Sequence, residues 1–204
     1  MKVLELFAGS RSIGKVCDVL GYEVFSSDIN PFDGIDYVTD ILEFDEGQVP
    51  FIPDIIWSSP PCTSYSIAAI SHHRKDGVAT SEFAKKSDMM MARLQQILEY
   101  FLKLNPDLIY YVENPRGMLR KMPFMSYYPL RHTLTYCQYG DDRMKPTDIW
   151  TNNFNWKPRP MCKNGAPCHV AAPRGSKTGT QGLKGNYERS IVPPILCAEV
   201  LISI

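Results

Sequence analysis

A cysteine behind two prolines is the first run that invites a chemical reading: Ser59-Pro60-Pro61-Cys62-Thr63-Ser64-Tyr65-Ser66. The prolines lock the backbone and present Cys62, and a thiol held at a strand end near cationic groups can ionise and attack. The bland alternative is a buried inert thiol, the usual fate of a free cysteine. Further on, Val112-Glu113-Asn114-Pro115 places a carboxyl at the end of another apolar run. Beside Cys62 it gives the nucleophile an acid or hydrogen-bonding partner; alone it serves equally as a structural ion pair.

Three features nearer the start describe a pocket. In Phe7-Ala8-Gly9-Ser10-Arg11-Ser12-Ile13-Gly14, Gly9 allows a tight turn and a close approach to a ligand, and the helix that follows offers free N–H groups. The run is not G-x-G-x-x-G, so a dinucleotide site is poorly supported. Asp28 closes a second apolar run, where a carboxylate can accept both hydroxyls of a ribose or merely cap a helix. Asp40 closes a third and can receive an adenine amino group or sit in a surface turn. Together they suit a neutral or cationic adenosine. With no Walker lysine, S-adenosylmethionine fits better than a nucleoside triphosphate.

These residues fall one after another at the ends of apolar runs, and the runs define the elements. Strands are expected at Lys2–Phe7, Tyr22–Ser27, Tyr37–Thr39, Asp54–Trp57 and Leu108–Val112, with helices at Ser12–Leu20 and Ser87–Leu104 and a closing helix in 191–204 after Pro193-Pro194. Thr63–Lys86 reads as a long mobile loop. Strands alternating with helices predict an α/β protein with a doubly wound, mostly parallel sheet, whose ligands sit at the carboxyl ends of the strands. Three segments follow: a catalytic core over 1–150, a short basic insert over 151–187, and a return to the core over 188–204.

Composition bounds the rest. The 204 residues are 44% hydrophobic, which is ample for a core and excludes disorder. No run is long and apolar enough for a membrane span and the start lacks a signal peptide's apolar stretch, so a cytoplasmic protein is expected, its six cysteines being free thiols, metal ligands or a nucleophile. Twenty-two bases against 22 acids give zero net charge, which read naively argues against a nucleic-acid partner. The zero hides a polarity. Residues 1–60 carry eleven acids and three bases, a net of −8, whereas 151–187 carry six bases and no acid. Such asymmetry suggests an anion-binding face in the later part, or simply a solvated basic loop.

The motifs, in this order, resemble those of the cytosine-5 DNA methyltransferases. Leu6-Phe7-Ala8-Gly9 is similar to the cofactor loop, Asp54-Ile55-Ile56-Trp57-Ser58-Ser59-Pro60-Pro61-Cys62 to the Pro-Cys motif, and Tyr111-Val112-Glu113-Asn114 to the Glu-Asn motif. Tyr139-Gly140 with Arg143-Met144-Lys145 resembles the Arg-x-Arg motif, and Ile191-Val192-Pro193-Pro194-Ile195-Leu196 the last one. The resemblance implies the Rossmann-like fold of S-adenosylmethionine-dependent methyltransferases. It implies a cofactor site formed by Phe7, Ala8, Gly9, Ser10, Asp28, Ile29, Asp40, Ile41, Ser59, Pro60 and Val192. It also implies a mechanism: Cys62 adds to carbon 6 of cytosine, Glu113 protonates or hydrogen-bonds nitrogen 3, and Arg143, in preference to Lys145, holds the exocyclic oxygen and acidifies Cys62. The implied partner is double-stranded DNA with the target cytosine flipped out, contacted by a lid over 63–86 carrying His72, His73, Arg74, Lys75, Lys85 and Lys86. Carbon-5 chemistry is favoured over amino-group methylation because Cys62 stands where amino methyltransferases have an aromatic residue.

The departures carry expectations as well. Arg11 replaces a glycine of the cofactor loop and is expected to narrow or recharge the pocket. The family's long target-recognition region is reduced to about 151–187, which leaves target choice loose or in the hands of a separate specificity partner. RNA or a free cytosine nucleotide stays open as substrate, as does a non-catalytic relic that only binds S-adenosylmethionine or DNA. A small orphan enzyme of this type looks like phage or prophage material, acting as a monomer or weak dimer. Within the insert, Phe154 and Trp156 are read as anchors to the core, and 174–182 as a flexible basic stretch with Gln181 suited to a base edge. Cys162-x5-Cys168-His169, with Cys137 upstream, is either a zinc staple or a set of unligated thiols; its spacing is that of no standard finger, and no metal is assigned.

Overall fold

The computed structural model describes residues 1–171, 183 and 185–204. The strands are β1 (Lys2–Leu6), β2 (Glu23–Asp28), β3 (Tyr37–Val38), β4 (Ile55–Ser58), β5 (Arg74–Lys75), β6 (Val78–Ala79), β7 (Ile109–Pro115), β8 (Leu130–Thr135) and β9 (Pro146–Thr151). The helices are α1 (Ser12–Leu20), α2 (Ile70–His73), α3 (Glu82–Leu104), α4 (Asn186–Ser190) and α5 (Pro194–Ile202). One seven-stranded sheet runs in the order β3-β2-β1-β4-β7-β9-β8, while β5 and β6 form a separate hairpin. The pairs from β3 to β7 are parallel, and β9 pairs antiparallel with both β7 and β8. The expected doubly wound, mostly parallel sheet is therefore present. Strand β8 was not legible in the sequence, because 130–135 mixes exposed and buried positions without an apolar run.

Both faces of the sheet are covered, which is why its central strands read as near-continuous apolar runs. Leu4, Leu6, Ile56 and Val112 face Leu94, Leu98 and Phe101 of α3. Val3, Ile55, Trp57 and Tyr111 face Ile13 and Cys17 of α1 and Leu196 and Val200 of α5. Within this sandwich Glu5 is the exception. Its carboxyl is buried and accepts from the amides of Ile13 (2.9 Å) and Gly14 (3.1 Å) and from Ser26 Oγ (2.9 Å), so a strand side chain caps the N-terminus of α1. Burial outweighs those hydrogen bonds and raises its pKa to about 7.

The structure corrects the reading of 63–86. Helix α3 begins at Glu82 rather than Ser87, capped by Ser81 Oγ accepting from Ala84 N at 3.1 Å. Lys85 and Lys86 are thus helical; Lys85 pairs with Glu82 and Lys86 with Asp40, each at 2.7 Å. Arg74 is buried, ion-paired to Asp88 at 2.6 Å, bonded to Ser64 O at 3.1 Å and stacked over Tyr65. His73 Nδ1 bonds Ser81 Oγ at 2.9 Å. A segment pinned in this way to α3 is a fixed wall rather than a mobile cover, and among its described basic residues His72 and Lys75 are the exposed ones that make no side-chain hydrogen bond or ion pair. In the insert, Trp156 is buried and stacks edge-on against Tyr111, whereas Phe154 is 67% exposed and anchors nothing. Arg174, Lys177, Gln181 and Lys184 lie outside the described residues. Among the described residues no helix is long and apolar enough to cross a membrane.

Candidate active site

The carboxyl edge of the parallel strands opens into two adjoining cavities. The smaller, about 290 Å³, is lined by Phe7, Gly9, Asp28, Ile29, Asp40, Ile41 and, from the far side, Phe32, Tyr187 and Ser190. The loop between β1 and α1 that forms its floor is unusual. Phe7, Gly9 and Arg11 have φ of 53°, 49° and 56°, a left-handed conformation at alternate positions that only glycine adopts without cost. Asp28 holds that loop, its Oδ2 accepting from Gly9 N and its Oδ1 from Asn30 N, each at 2.9 Å. Asp40 caps the turn after it, accepting from Leu42 N at 3.1 Å, and the Lys86 hydrogen bond keeps its carboxyl below the usual carboxylate range. Phe32 and Tyr187 stand 5.4 Å apart between ring centres.

The larger cavity, about 780 Å³, is lined by Ala8, Pro60, Cys62, Glu113, Lys145, Arg189 and Val192 among others, and shares Phe7, Ser59, Pro61 and Ser190 with the smaller one. Cys62 reaches it because β4 ends in a braced turn. Trp57 Nε1 donates to Ser59 Oγ at 2.9 Å and Asn114 Nδ2 to Pro60 O at 2.8 Å. Behind it, Met118 N donates to Tyr65 O at 2.8 Å, and a side chain on Gly117 would meet that same oxygen at 2.6 Å, so glycine is required there. Glu113 lies inside β7, one strand over, and accepts from the hydroxyl of fully buried Tyr136 at 2.8 Å. Lys145 Nζ lies 3.6 Å from Glu113 Oε1, donates to Arg189 O at 3.1 Å and sits over the Tyr136 ring. Cys62, Glu113 and a cation thus face one space.

No protein-family model matches the chain. A probable DNA (cytosine-5)-methyltransferase of Frog virus 3 (isolate Goorha) is 28% identical over 225 residues, covering 98% of this chain and 99% of its own. The chain is thus similar, along nearly its whole length, to a protein described as a probable cytosine-5 methyltransferase. Two solved structures share its fold: a Spodoptera frugiperda DNMT2 variant, 18% identical with a TM-score of 0.52, and Entamoeba histolytica methyltransferase EhMeth, 14% identical with a TM-score of 0.52. The matches cover 76% and 81% of this chain but 51% and 57% of those structures, so the chain spans about half of their length.

Against the methyltransferase resemblance, the geometry reverses one preference. Arg143 is not in the larger cavity. Its guanidinium is clamped by Asp141 two residues earlier and donates to the carbonyls of Glu188 (3.2 Å) and Ile191 (3.0 Å). It fastens α4 and the segment after it, and Lys145 is the cation paired with Glu113 in the cavity that Cys62 lines. Arg11 likewise lines neither cavity; its side chain lies back over Gly14 and Gly34 and pairs with Asp18 at 2.7 Å. Ser10 is one step removed, its hydroxyl 2.8 Å from that of Ser12, which in turn accepts from Val192 N at 3.0 Å. Sequence reasoning missed Tyr136, Arg116 and Arg189; the last two also line the larger cavity.

Burial pushes the Cys62 thiol above its ordinary pKa, Lys145 pulls it down and Glu113 pushes it up. Thiolate forms as pH rises through the thiol pKa, so removing the ammonium displaces reaction to higher pH. Lys145→Met is expected to move the pH curve for alkylation of Cys62 by iodoacetamide upward, each unit lowering the rate at neutral pH by about tenfold. An unmoved curve would show that Lys145 gives the thiolate no support.

Proposed function

We propose that this chain methylates carbon 5 of cytosine in DNA, using S-adenosylmethionine and a transient bond between Cys62 and the base. The observation that carries the reading is the shared space of Cys62, Glu113 and Lys145, continuous with the acid-lined smaller cavity through Phe7, Ser59, Pro61 and Ser190. The smaller cavity fits the cofactor chemically. Asp28 Oδ2 accepts from Gly9 N and keeps acceptor capacity for a ribose hydroxyl, and Ile29, Phe32, Ile41 and Tyr187 offer apolar surface to an adenine. S-adenosylmethionine supplies an electrophilic methyl group when bound there.

The protein's own part is to make carbon 5 nucleophilic. Cys62 thiolate adds to carbon 6 of the ring. Glu113, oriented by the Tyr136 hydroxyl, hydrogen-bonds or protonates nitrogen 3 as negative charge develops, and Lys145 serves the exocyclic oxygen. Loss of the carbon-5 proton after transfer lets the ring expel Cys62 and restores its double bond. In a duplex the base must leave the stack to reach this depth. Arg116 and Arg189 on the same cavity suit a phosphate-bearing substrate.

The test is transfer of label from S-adenosylmethionine to duplex DNA, RNA or free cytosine nucleotide. Label at carbon 5 of cytosine in DNA is expected, at short or loosely defined sites. Label confined to RNA or nucleotide would replace the DNA reading, and no label in any of them would refute it.

A further inference from the structure

Away from both cavities, Cys137, Cys162, Cys168 and His169 converge, and one ligand atom from each lies within 4.8 Å of all the others. They come from two stretches of chain: the turn over Tyr136–Tyr139, and the segment that follows β9. Cys162 Sγ is 3.2 Å from Cys168 Sγ and 3.4 Å from His169 Nδ1, and Cys168 Sγ is 3.8 Å from the same nitrogen. Around a tetrahedral zinc ion with Zn–S about 2.3 Å and Zn–N about 2.0 Å, ligand atoms are separated by roughly 3.5–3.8 Å. The ligand atoms of Cys162, Cys168 and His169 stand near that spacing already, and that of Cys137 lies within 4.8 Å of each. Backbone contacts hold them there: Cys162 N donates to Thr135 Oγ1 at 2.9 Å and Val170 N to Asp142 O at 2.8 Å.

We propose that Cys137, Cys162, Cys168 and His169 bind one zinc ion as a closed structural site. Three thiolates and an imidazole select a soft or borderline metal over magnesium or calcium, and four protein ligands leave no position for substrate or water. The need for it is plain in the packing. Between residues 152 and 171 only Asn153, Trp156 and Cys162 are buried, too little apolar surface to fix twenty residues. The metal would fasten this segment to the turn that carries Tyr136, the residue that orients Glu113.

Metal analysis of the intact protein purified without chelator tests this. Zinc at about one ion per chain is expected, and cobalt exchanged for it should show thiolate charge-transfer and tetrahedral ligand-field absorption. Cys168→Ser and His169→Ala are the variants of choice, because Cys168 is exposed and His169 half-buried, so neither empties the core. Each should weaken cobalt binding by at least about tenfold, the loss that even an outer-sphere partner brings, with unchanged far-ultraviolet circular dichroism. Three results would overturn the site: folded wild-type protein that takes up neither metal, a metal-free Cys162–Cys168 disulfide in protein isolated without reductant, or cobalt affinity unchanged in both variants.

Discussion

Cys62→Ala is expected to lower methyl transfer to DNA by at least about 10⁴-fold, the scale on which an enzyme loses its nucleophile, while S-adenosylmethionine still binds. Binding should survive because the residues that line the smaller cavity do not include Cys62, and the proline turn is held by Trp57 and Asn114 rather than by the thiol. Calorimetry with the cofactor, run beside the transfer assay, separates the two effects. The wild type should also form a denaturant-resistant complex with DNA containing a cytosine analogue that blocks loss of the carbon-5 proton, and the variant should not. Transfer retained within tenfold in Cys62→Ala would remove the covalent mechanism, though not the cofactor site.

The second large effect is at Glu113. Glu113→Gln keeps the shape of the side chain and its place in β7 but removes the transferable proton, and transfer should fall by about 10²–10⁴-fold, the range of a lost general acid. A second readout moves the other way. Glu113 raises the Cys62 pKa, so neutralising it should shift iodoacetamide alkylation of Cys62 toward lower pH and speed it at neutral pH. Lys145→Met moves the same curve upward. A variant that is slower in transfer yet faster in alkylation has lost a proton donor to the base rather than its fold; slowing in both assays would point to collapse of the cavity.

What could be read from sequence was whatever lies at the end of an apolar run. Asp28, Cys62 and Glu113 each follow or close such a run, and parallel strands deliver their carboxyl ends to one edge. What could not be read depends on partners brought together by the fold. Glu5 looks like an interruption of a strand until α1 begins seven residues later and directs its amides at it. The choice between Arg143 and Lys145 is made by Asp141, which claims the arginine. The rigidity of 63–81 rests on Arg74 finding Asp88, fourteen residues on and in a helix whose start the pattern placed too late. Tyr136 carries no motif at all; its importance comes from the turn after β8, from which its buried hydroxyl reaches Glu113 of β7.

The hydrogen bond from Val192 N to Ser12 Oγ spans 180 positions, and Tyr187 and Ser190 close the smaller cavity from the same late stretch. During synthesis the glycine loop, the thiol and the glutamate all emerge well before the residues that complete their pocket. Contacts of such long sequence separation also carry a large loop-closure entropy and slow folding. A ribosome-bound chain halted before residue 187 would therefore hold Cys62 and Glu113 without the residues that complete the smaller cavity.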